Sequence, residues 1–129
     1  MTTSPAIPSL SLDRSLSQSD FDLFAQVSGD NNPIHVDPDF SARTRFGRTV
    51  SHGMLLYTVL WGMVQRLYPG ARQAGQALMF PNPAYAGEPL RFEVTEIAAL
   101  GDTHRLTTRV TRIADGAVTL DGETTIRLP

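Results

Sequence analysis

The pattern of hydrophobic and polar positions divides the chain into a helical first half and a second half of strands. Residues 52–70 are apolar in nearly every direction around a helix, which predicts a long core helix that is buried on most sides. Further along, runs beginning at Leu90 and at Val118 alternate with a period of two, as half-buried strands do. The threonines and valines of residues 104–113 predict a strand between them, and Asp115-Gly116 predicts a hairpin turn.

Weaker patterns complete the predicted fold. Residues 1–8 carry two prolines and small polar residues, which predict a loose tail. Leu10 and Leu12 then alternate with serines, which favours a short strand. Residues 77–85 favour another strand, interrupted by two prolines that belong at an edge or a bend. Together, these elements predict one domain of the α+β class over residues 1–129, in which an antiparallel sheet of about five strands wraps around one long helix.

Two shorter helices are predicted before the core helix. Ser17 or Ser19 is suited to cap the first, over about residues 20–27. Gly29 is suited to the left-handed residue that would end it. The second is expected over residues 37–43, where Asp-Pro places a proline near the first helical position.

Composition narrows the chemistry that the chain can carry. There are no cysteines, which excludes disulfides, thiolate metal sites and a cysteine nucleophile, and we predict no metal site. All 11 basic side chains are arginine, so there is no lysine for a Schiff base. The formal net charge of −2 gives no sign of nucleic-acid binding. We find no targeting segment and no apolar run of the roughly 20 residues that span a bilayer, so we expect a cytoplasmic protein without a membrane partner.

The segment SGDNNPIH, residues 28–35, carries the strongest candidate chemistry. It sets Asp30 and His35 on either side of an Asn-Asn-Pro turn. Asparagine tolerates left-handed backbone and proline fixes its own φ, so the turn can bring a carboxylate and an imidazole to one water. We therefore predict an acid/base pair rather than a turn cap beside a hydrogen-bonded histidine.

A second element, Ser51-His52-Gly53, leads into the core helix. The first amides of a helix have no internal partner and carry the positive end of the dipole, and Gly53 has no side chain to keep a carbonyl away. Gly53 is therefore a candidate oxyanion hole, with close packing against the sheet as its alternative role. His52 is expected to orient the turn through its ring rather than to take part in the chemistry.

Other side chains are candidates to bind a substrate. The basic cluster of Arg43, Arg45 and Arg48 either contacts a phosphate or forms a solvated surface. Thr58 and Trp61 either line a pocket or belong to the core, as residues at helical spacing often do. The full candidate set for substrate binding is Asn32, Arg43, Arg48, Ser51, His52, Met54 and Thr58.

These residues resemble the signature of the MaoC-type, (R)-specific enoyl-CoA hydratases, also called hydratase 2. The family pattern is an aromatic residue, then Val-Ser-Gly-Asp-x-Asn-Pro-Ile-His, then a small residue six positions after the histidine. Every position is matched here, from Phe24 to Ser41. Residues 46–55 resemble the family's entry into its central helix, and the similarity extends from about Leu10 to Leu128.

The resemblance implies a hotdog fold and a homodimer or dimer of dimers, with an acyl-thioester tunnel beside the shared interface. It implies that Asp30 and His35 hold and activate the water, and that the Gly53 amide polarises the thioester carbonyl. Coenzyme A is implied only as the carrier of the substrate, and no cofactor is expected. Relatives often carry a small hydroxyl side chain near the aspartate; Thr58 is the nearest here, whereas an ungapped comparison places Trp61 there.

The leading prediction is reversible hydration of a trans-2-enoyl thioester, carried by coenzyme A or an acyl carrier protein, to a (3R)-3-hydroxyacyl thioester. One alternative is a hotdog thioesterase, in which water attacks the thioester carbonyl. Another is a non-catalytic acyl-thioester-binding subunit paired with a different hotdog chain. A pure scaffold would need none of Asp30, His35 and Gly53, which argues against the last alternative.

Overall fold

A computed structural model describes residues 7–129, so most of the predicted tail lies outside the described residues. Pro8, directly before the first strand, is tied to the sheet because its carbonyl accepts a hydrogen bond from the Glu96 amide at 2.9 Å. In residues 7–129, four helices and five strands follow in the order β1 Ser9–Ser15, α1 Gln18–Ser28, α2 Pro33–Val36, α3 Pro38–Ala42, α4 Gly53–Leu67, β2 Arg72–Met79, β3 Pro89–Leu100, β4 Thr103–Arg112 and β5 Val118–Arg127.

The five strands form one antiparallel sheet in the order β1-β3-β4-β5-β2. α4 packs across this sheet and contacts β1, β3 and β5. Phe92 and Val94 from β3 and Leu106 from β4 are wholly buried against Leu60 and Val64 of the helix. The predicted α+β architecture, with five strands around one long helix, is confirmed.

The sequence of α1 determines where this helix begins and ends. The Ser17 hydroxyl accepts a hydrogen bond from the Asp20 amide at 3.1 Å, and the Asp20 carboxylate accepts one from the Ser17 amide at 2.9 Å. This capping box satisfies two amides that the helix itself cannot. At the other end, Gly29 has a φ of 81° and donates to the Ala25 carbonyl, as predicted.

The strand predicted over residues 77–85 is wrong. The observed strand β2 lies earlier and ends at Met79, because Pro81 and Pro83 cannot donate to a strand ladder. β2 is an edge strand that is exposed along most of its length, so its sequence shows no alternation of buried and exposed positions. The residues after it form a loop whose contacts with the rest of the chain include an isolated bridge from Tyr85 to Val50.

The helix α4 is less enclosed than its sequence predicts. Leu56, Leu60, Val64 and their neighbours are buried on the sheet side, but Met54, Thr58, Gly62 and Arg66 form an exposed stripe at four-residue spacing. The prediction of a helix buried on most sides is therefore wrong for a single chain, because nothing in residues 7–129 covers this stripe. Across those residues, no helix combines the length and the apolarity that a bilayer crossing requires.

A polar cluster anchors the end of α4 that lies opposite Gly53. The hydroxyl of Tyr68 donates to the Glu96 carboxylate at 2.8 Å, and Nδ1 of His104 hydrogen-bonds to the same oxygen. The bond from His104, with the bond from Tyr68, holds the pKa of Glu96 below its ordinary value, whereas burial raises the pKa of Tyr68. Since α4 has 15 residues, its two ends lie about 22 Å apart.

We expect Glu96→Gln to lower the free energy of unfolding by about 1–2 kcal/mol at pH 7, because glutamine keeps only neutral hydrogen bonds. The lowered pKa of Glu96 means that its carboxylate stabilises the fold above the unfolded value, about 4.3. This contribution disappears as the pH falls through the folded value, so the difference between variant and wild type should shrink in acid.

Urea unfolding followed by circular dichroism between pH 7 and pH 3 measures this difference. Glu123→Gln is the matched control, because it removes an exposed ion pair with Arg105 at 2.9 Å on the same sheet. The control should change stability by less than about 1 kcal/mol. A loss in Glu96→Gln that is the same at every pH would contradict the role given to the carboxylate.

Candidate active site

A tight bend after α1 presents the Asp30 side chain. Oδ1 of Asp30 accepts a hydrogen bond from the Asn32 amide at 3.4 Å, and Oδ1 of Asn32 accepts one from the Ile34 amide at 3.1 Å. The predicted turn therefore passes directly into α2, a single helical turn that begins at Pro33. Asn32, predicted to bind substrate, uses its side-chain oxygen to cap this turn.

His35 lies on α2 and is nearly buried, with 9% of its surface exposed. Its Nδ1 lies 2.6 Å from the carbonyl oxygen of Val50, and because a carbonyl can only accept, Nδ1 carries the proton. The other nitrogen, Nε2, lies 3.8 Å from Oδ2 of Asp30, whose side chain is 55% exposed. The structure thus brings Asp30 and His35 together, at a separation that a small movement or one water closes.

The ring of His52 lies behind this pair. It stacks on the His35 ring with 3.9 Å between the ring centroids and 26° between the planes. Its Nε2 lies 2.8 Å from the carbonyl oxygen of Asp30, and Phe24 contacts the ring at 4.9 Å. Only 2% of His52 is exposed, and this burial lowers its pKa, which favours the uncharged ring.

Gly53 begins α4 at the wall of the same cleft. The cleft has a volume of about 520 Å³ and is lined by Asp30, His35 and Gly53 together. As the first residue of a helix, Gly53 has an amide without an intrahelical acceptor. A Cβ atom here would lie 2.7 Å from the Phe80 ring, so glycine allows the loop after β2 to approach the start of α4, rather than only the sheet as predicted.

A further part of the cleft wall comes from residues that were not predicted to belong to the site. Residues 80–84 run along the cleft after β2, and the Ala84 carbonyl accepts a hydrogen bond from the Ser51 amide at 2.7 Å. The available signal was a pair of prolines directly after a strand, which marks a fixed loop on a rigid scaffold. Further lining residues without a predicted role are Phe24, Ser28, Phe46, Val50, Leu56 and Thr119.

Three of the predicted substrate-binding residues, Ser51, His52 and Met54, line the cleft. Thr58 instead lines a separate apolar groove of about 640 Å³ between α1 and α4, and its hydroxyl donates to the Met54 carbonyl at 2.8 Å. Trp61 is half-buried against the hydrophobic core. Neither candidate for the hydroxyl position in α4 therefore lies on the cleft.

The basic cluster contributes Arg45 to the cleft, rather than the two arginines predicted to bind substrate. Arg48 is engaged elsewhere, with its guanidinium 3.8 Å from the Glu88 carboxylate and 4.4 Å from the centre of the Tyr85 ring. Arg43 follows the end of α3 at the surface. A phosphate contact near the cleft would consequently depend on Arg45.

Asp30, His35 and His52 each offer a possible metal ligand, within 4.8 Å of one another. An imidazole binds a metal in the plane of its ring, and the free nitrogens of two stacked rings lie in nearly parallel planes that do not converge on one ion. The arrangement suits proton transfer better than metal binding.

Comparison with known proteins identifies the protein family to which this fold and this cleft belong. The family model described as MaoC like domain matches residues 4–125, and the chain belongs to this family. An (R)-specific enoyl-CoA hydratase of Aeromonas caviae is 39% identical over 110 residues, covering 82% of this chain and 81% of that protein. A 3-hydroxybutyryl-CoA dehydratase of Methylorubrum extorquens is 33% identical over 124 residues, covering 92% and 76%.

A solved structure gives the same result for the fold. The (R)-hydratase from A. caviae, described as involved in PHA biosynthesis, superposes with a TM-score of 0.89 at 32% identity. The match covers 99% of this chain and 100% of that one. The predicted hotdog fold and the resemblance to MaoC-type hydratases are confirmed.

Proposed function

We propose that this chain is a hydro-lyase that adds water reversibly to trans-2-enoyl thioesters and gives (3R)-3-hydroxyacyl thioesters. The observation that carries the proposal is that Asp30, His35 and Gly53, the first residue of α4, line one cleft of about 520 Å³. The hydratase and dehydratase names of relatives that are 39% and 33% identical support this reaction class, with coenzyme A as the carrier.

The reaction requires two proton transfers, which the Asp30–His35 pair can supply. As the water oxygen bonds to the β carbon, one member takes a proton from the water and the alkene π electrons move toward the thioester oxygen. The other member gives a proton to the α carbon, so the pair ends with as many protons as it had. Because Nδ1 of His35 donates to Val50, Nε2 is the nitrogen that exchanges a proton with the cleft.

Negative charge gathers on the thioester oxygen in the enolate-like transition state. The Gly53 amide stands at the positive end of α4 and has no acceptor within the helix. An amide held there in advance stabilises the developing charge without any reorganisation during the reaction. The space that a side chain would take at Gly53 is filled by the Phe80 ring, which lines the cleft beside the start of α4.

We expect Asp30→Asn and His35→Ala each to reduce the turnover of crotonyl-CoA at least about a hundredfold, because each removes one of the groups that carry protons. Loss of enoyl absorbance measures hydration, and chiral analysis of the product should find the (3R) alcohol. Asp39→Asn, in the first turn of α3, is a matched control that should retain activity. Near-normal turnover in both site variants, or release of free thiol in place of hydration, would contradict the proposal.

A pair of substitutions isolates the contribution of the Gly53 amide. Gly53→Pro removes the N–H at a position where proline suits the helix, and His52 already has the extended backbone that precedes a proline, with φ −56° and ψ 136°. Gly53→Ala keeps the N–H but adds the same Cβ against Phe80, so it is the control for crowding. We expect the proline variant to be about 10²–10³-fold slower than the alanine variant in kcat. Equal rates would rule out the oxyanion role.

The proposed active unit is a homodimer, which two exposed features of the chain support. Within residues 7–129, β2 pairs with β5 alone, which leaves its outer edge with unpaired backbone groups. The exposed stripe on α4 carries Met54, which is 45% exposed, beside half-buried Trp61. A second copy of the chain would cover both.

We expect Gly62→Arg, in the middle of the exposed stripe, to shift the protein from twice the chain mass of 14.1 kDa toward the single chain. No atom lies within 4 Å of a Cβ built at Gly62, so one chain tolerates the substitution while a packed interface would not. Gln26→Arg, exposed on α1, is the control and should leave the mass unchanged. Light scattering after gel filtration measures the mass, and a wild-type monomer would refute the homodimer.

A further inference from the structure

We infer that His52 is a positioning residue, which holds Asp30 and His35 in register through two different contacts of one uncharged ring. The inference rests on the proposed hydratase function, because Asp30 and His35 are the groups that carry protons in it. The ring has little access to substrate, since 2% of the residue is exposed.

The first contact is a hydrogen bond to the backbone of Asp30. Nε2 of His52 lies 2.8 Å from the carbonyl oxygen, which can only accept, so this nitrogen carries the proton. The other hydrogen bonds of Asp30 in the described residues run to Ser28 and Asn32, two positions away on either side. The bond from His52 therefore ties the bend to the start of α4.

The second contact is the stack on the His35 ring, with 3.9 Å between centroids. The bond from Nδ1 of His35 to Val50 fixes how that ring is rotated, and the face of His52 fixes how it is tilted. Phe24 and Phe21 also lie next to the His52 ring, with 4.9 Å and 6.5 Å between the ring centroids, and this packing restricts how far the ring can move. Together these contacts direct Nε2 of His35 toward the carboxylate.

Packing alone does not explain a histidine at this position. Within residues 7–129, Nδ1 of His52 is buried and has no hydrogen-bond partner, a cost that phenylalanine would avoid. Phenylalanine would supply the stack and glutamine would supply the donor, whereas histidine supplies both. The ring must also stay neutral, because a charged His52 would face the His35 ring and bury a second N–H without an acceptor.

The groups around the ring agree with a neutral state. Burial is the main cause that lowers the pKa of His52, and the nearby His35 adds to this effect. The hydrogen bond to the Asp30 carbonyl and the charge of the Asp30 carboxylate oppose it. α1 places two uncharged aromatic side chains, Phe21 and Phe24, next to the ring.

Three substitutions separate the two contacts. His52→Phe keeps the ring, His52→Gln keeps a donor, and His52→Ala removes both. We expect kcat for crotonyl-CoA to fall about tenfold in the first two and about a hundredfold in the third, while KM stays within about threefold, as for groups that are misplaced rather than lost. His104→Gln, in the cluster at the other end of α4, should keep the wild-type kcat. Full activity in all three His52 variants, or a loss confined to KM, would overturn the inference.

A spectroscopic measurement tests the same inference without reference to activity. The chain has three histidines, so ¹⁵N-labelled imidazoles can be assigned by substitution. We expect His52 to remain a neutral Nε2–H tautomer as the pH falls through about 6.5, where an ordinary histidine takes up a proton. An Nδ1–H tautomer, or titration near that ordinary value, would overturn the inference. A wild type that hydrates no enoyl thioester would instead refute the proposed function and leave this measurement standing.

The pH dependence of the free energy of unfolding provides a third test of the neutral His52 ring. Because the folded pKa of His52 is lowered, the unfolded chain binds the proton first, and stability falls as the pH drops below about 6.5. His52→Phe lacks this group, so its unfolding midpoint in urea should decline less steeply between pH 7 and pH 5. Parallel declines would contradict the neutral ring.

Discussion

The site depends on hydrogen bonds that fasten together two segments distant in the sequence, the bend after α1 and the entry to α4. The Val50 amide donates to the Ile34 carbonyl at 2.9 Å, and the Val50 carbonyl accepts from the His35 ring at 2.6 Å. Both backbone groups of one residue are thus used to hold α2, and the bond from His52 to Asp30 adds a third link. These three bonds convert a flexible-looking loop into one wall of a cleft with defined side-chain directions.

The rest of the fold keeps those links in place. The helix α4 presents its first amide at a fixed point because Leu60 and Val64 are wholly buried on the sheet. Each such side chain contributes about 1.5–3 kcal/mol when it is fully removed from water. The hydrogen bond from the Ser51 amide to the Ala84 carbonyl holds the loop of residues 80–84 next to the entry to α4. The packing of α4 on the sheet therefore determines where the cleft forms.

Local signals in the sequence predicted the parts of the structure that depend on neighbouring residues. The cap at Ser17 and the left-handed Gly29 involve partners within four positions, and the pairing of Asp30 with His35 follows from the turn between them. Short-range chemistry of this kind can be read directly from residue type and spacing.

Features that depend on distant residues could not be predicted in this way. The wall formed by residues 80–84 becomes part of the site only through contacts with the entry to α4. Arg48, one of the predicted binding residues, forms an ion pair with Glu88 instead. No local pattern in the sequence indicates that Arg45 is the arginine that lines the cleft. Neither face of the edge strand β2 is covered along most of its length, so its sequence does not alternate between apolar and polar residues. The periodicity of this segment therefore could not predict the bounds of the strand.

The separation of the two ends of α4 has an evolutionary consequence. The candidate active site adjoins the first turn, and the hydrogen-bonded cluster of Tyr68, Glu96 and His104 lies at the last turn. The middle turns, which carry Thr58 and Gly62 on their exposed side, belong to neither of these two groups of residues. Substitutions that accumulate in those turns can therefore change the neighbouring groove while the candidate site at the first turn is inherited unchanged.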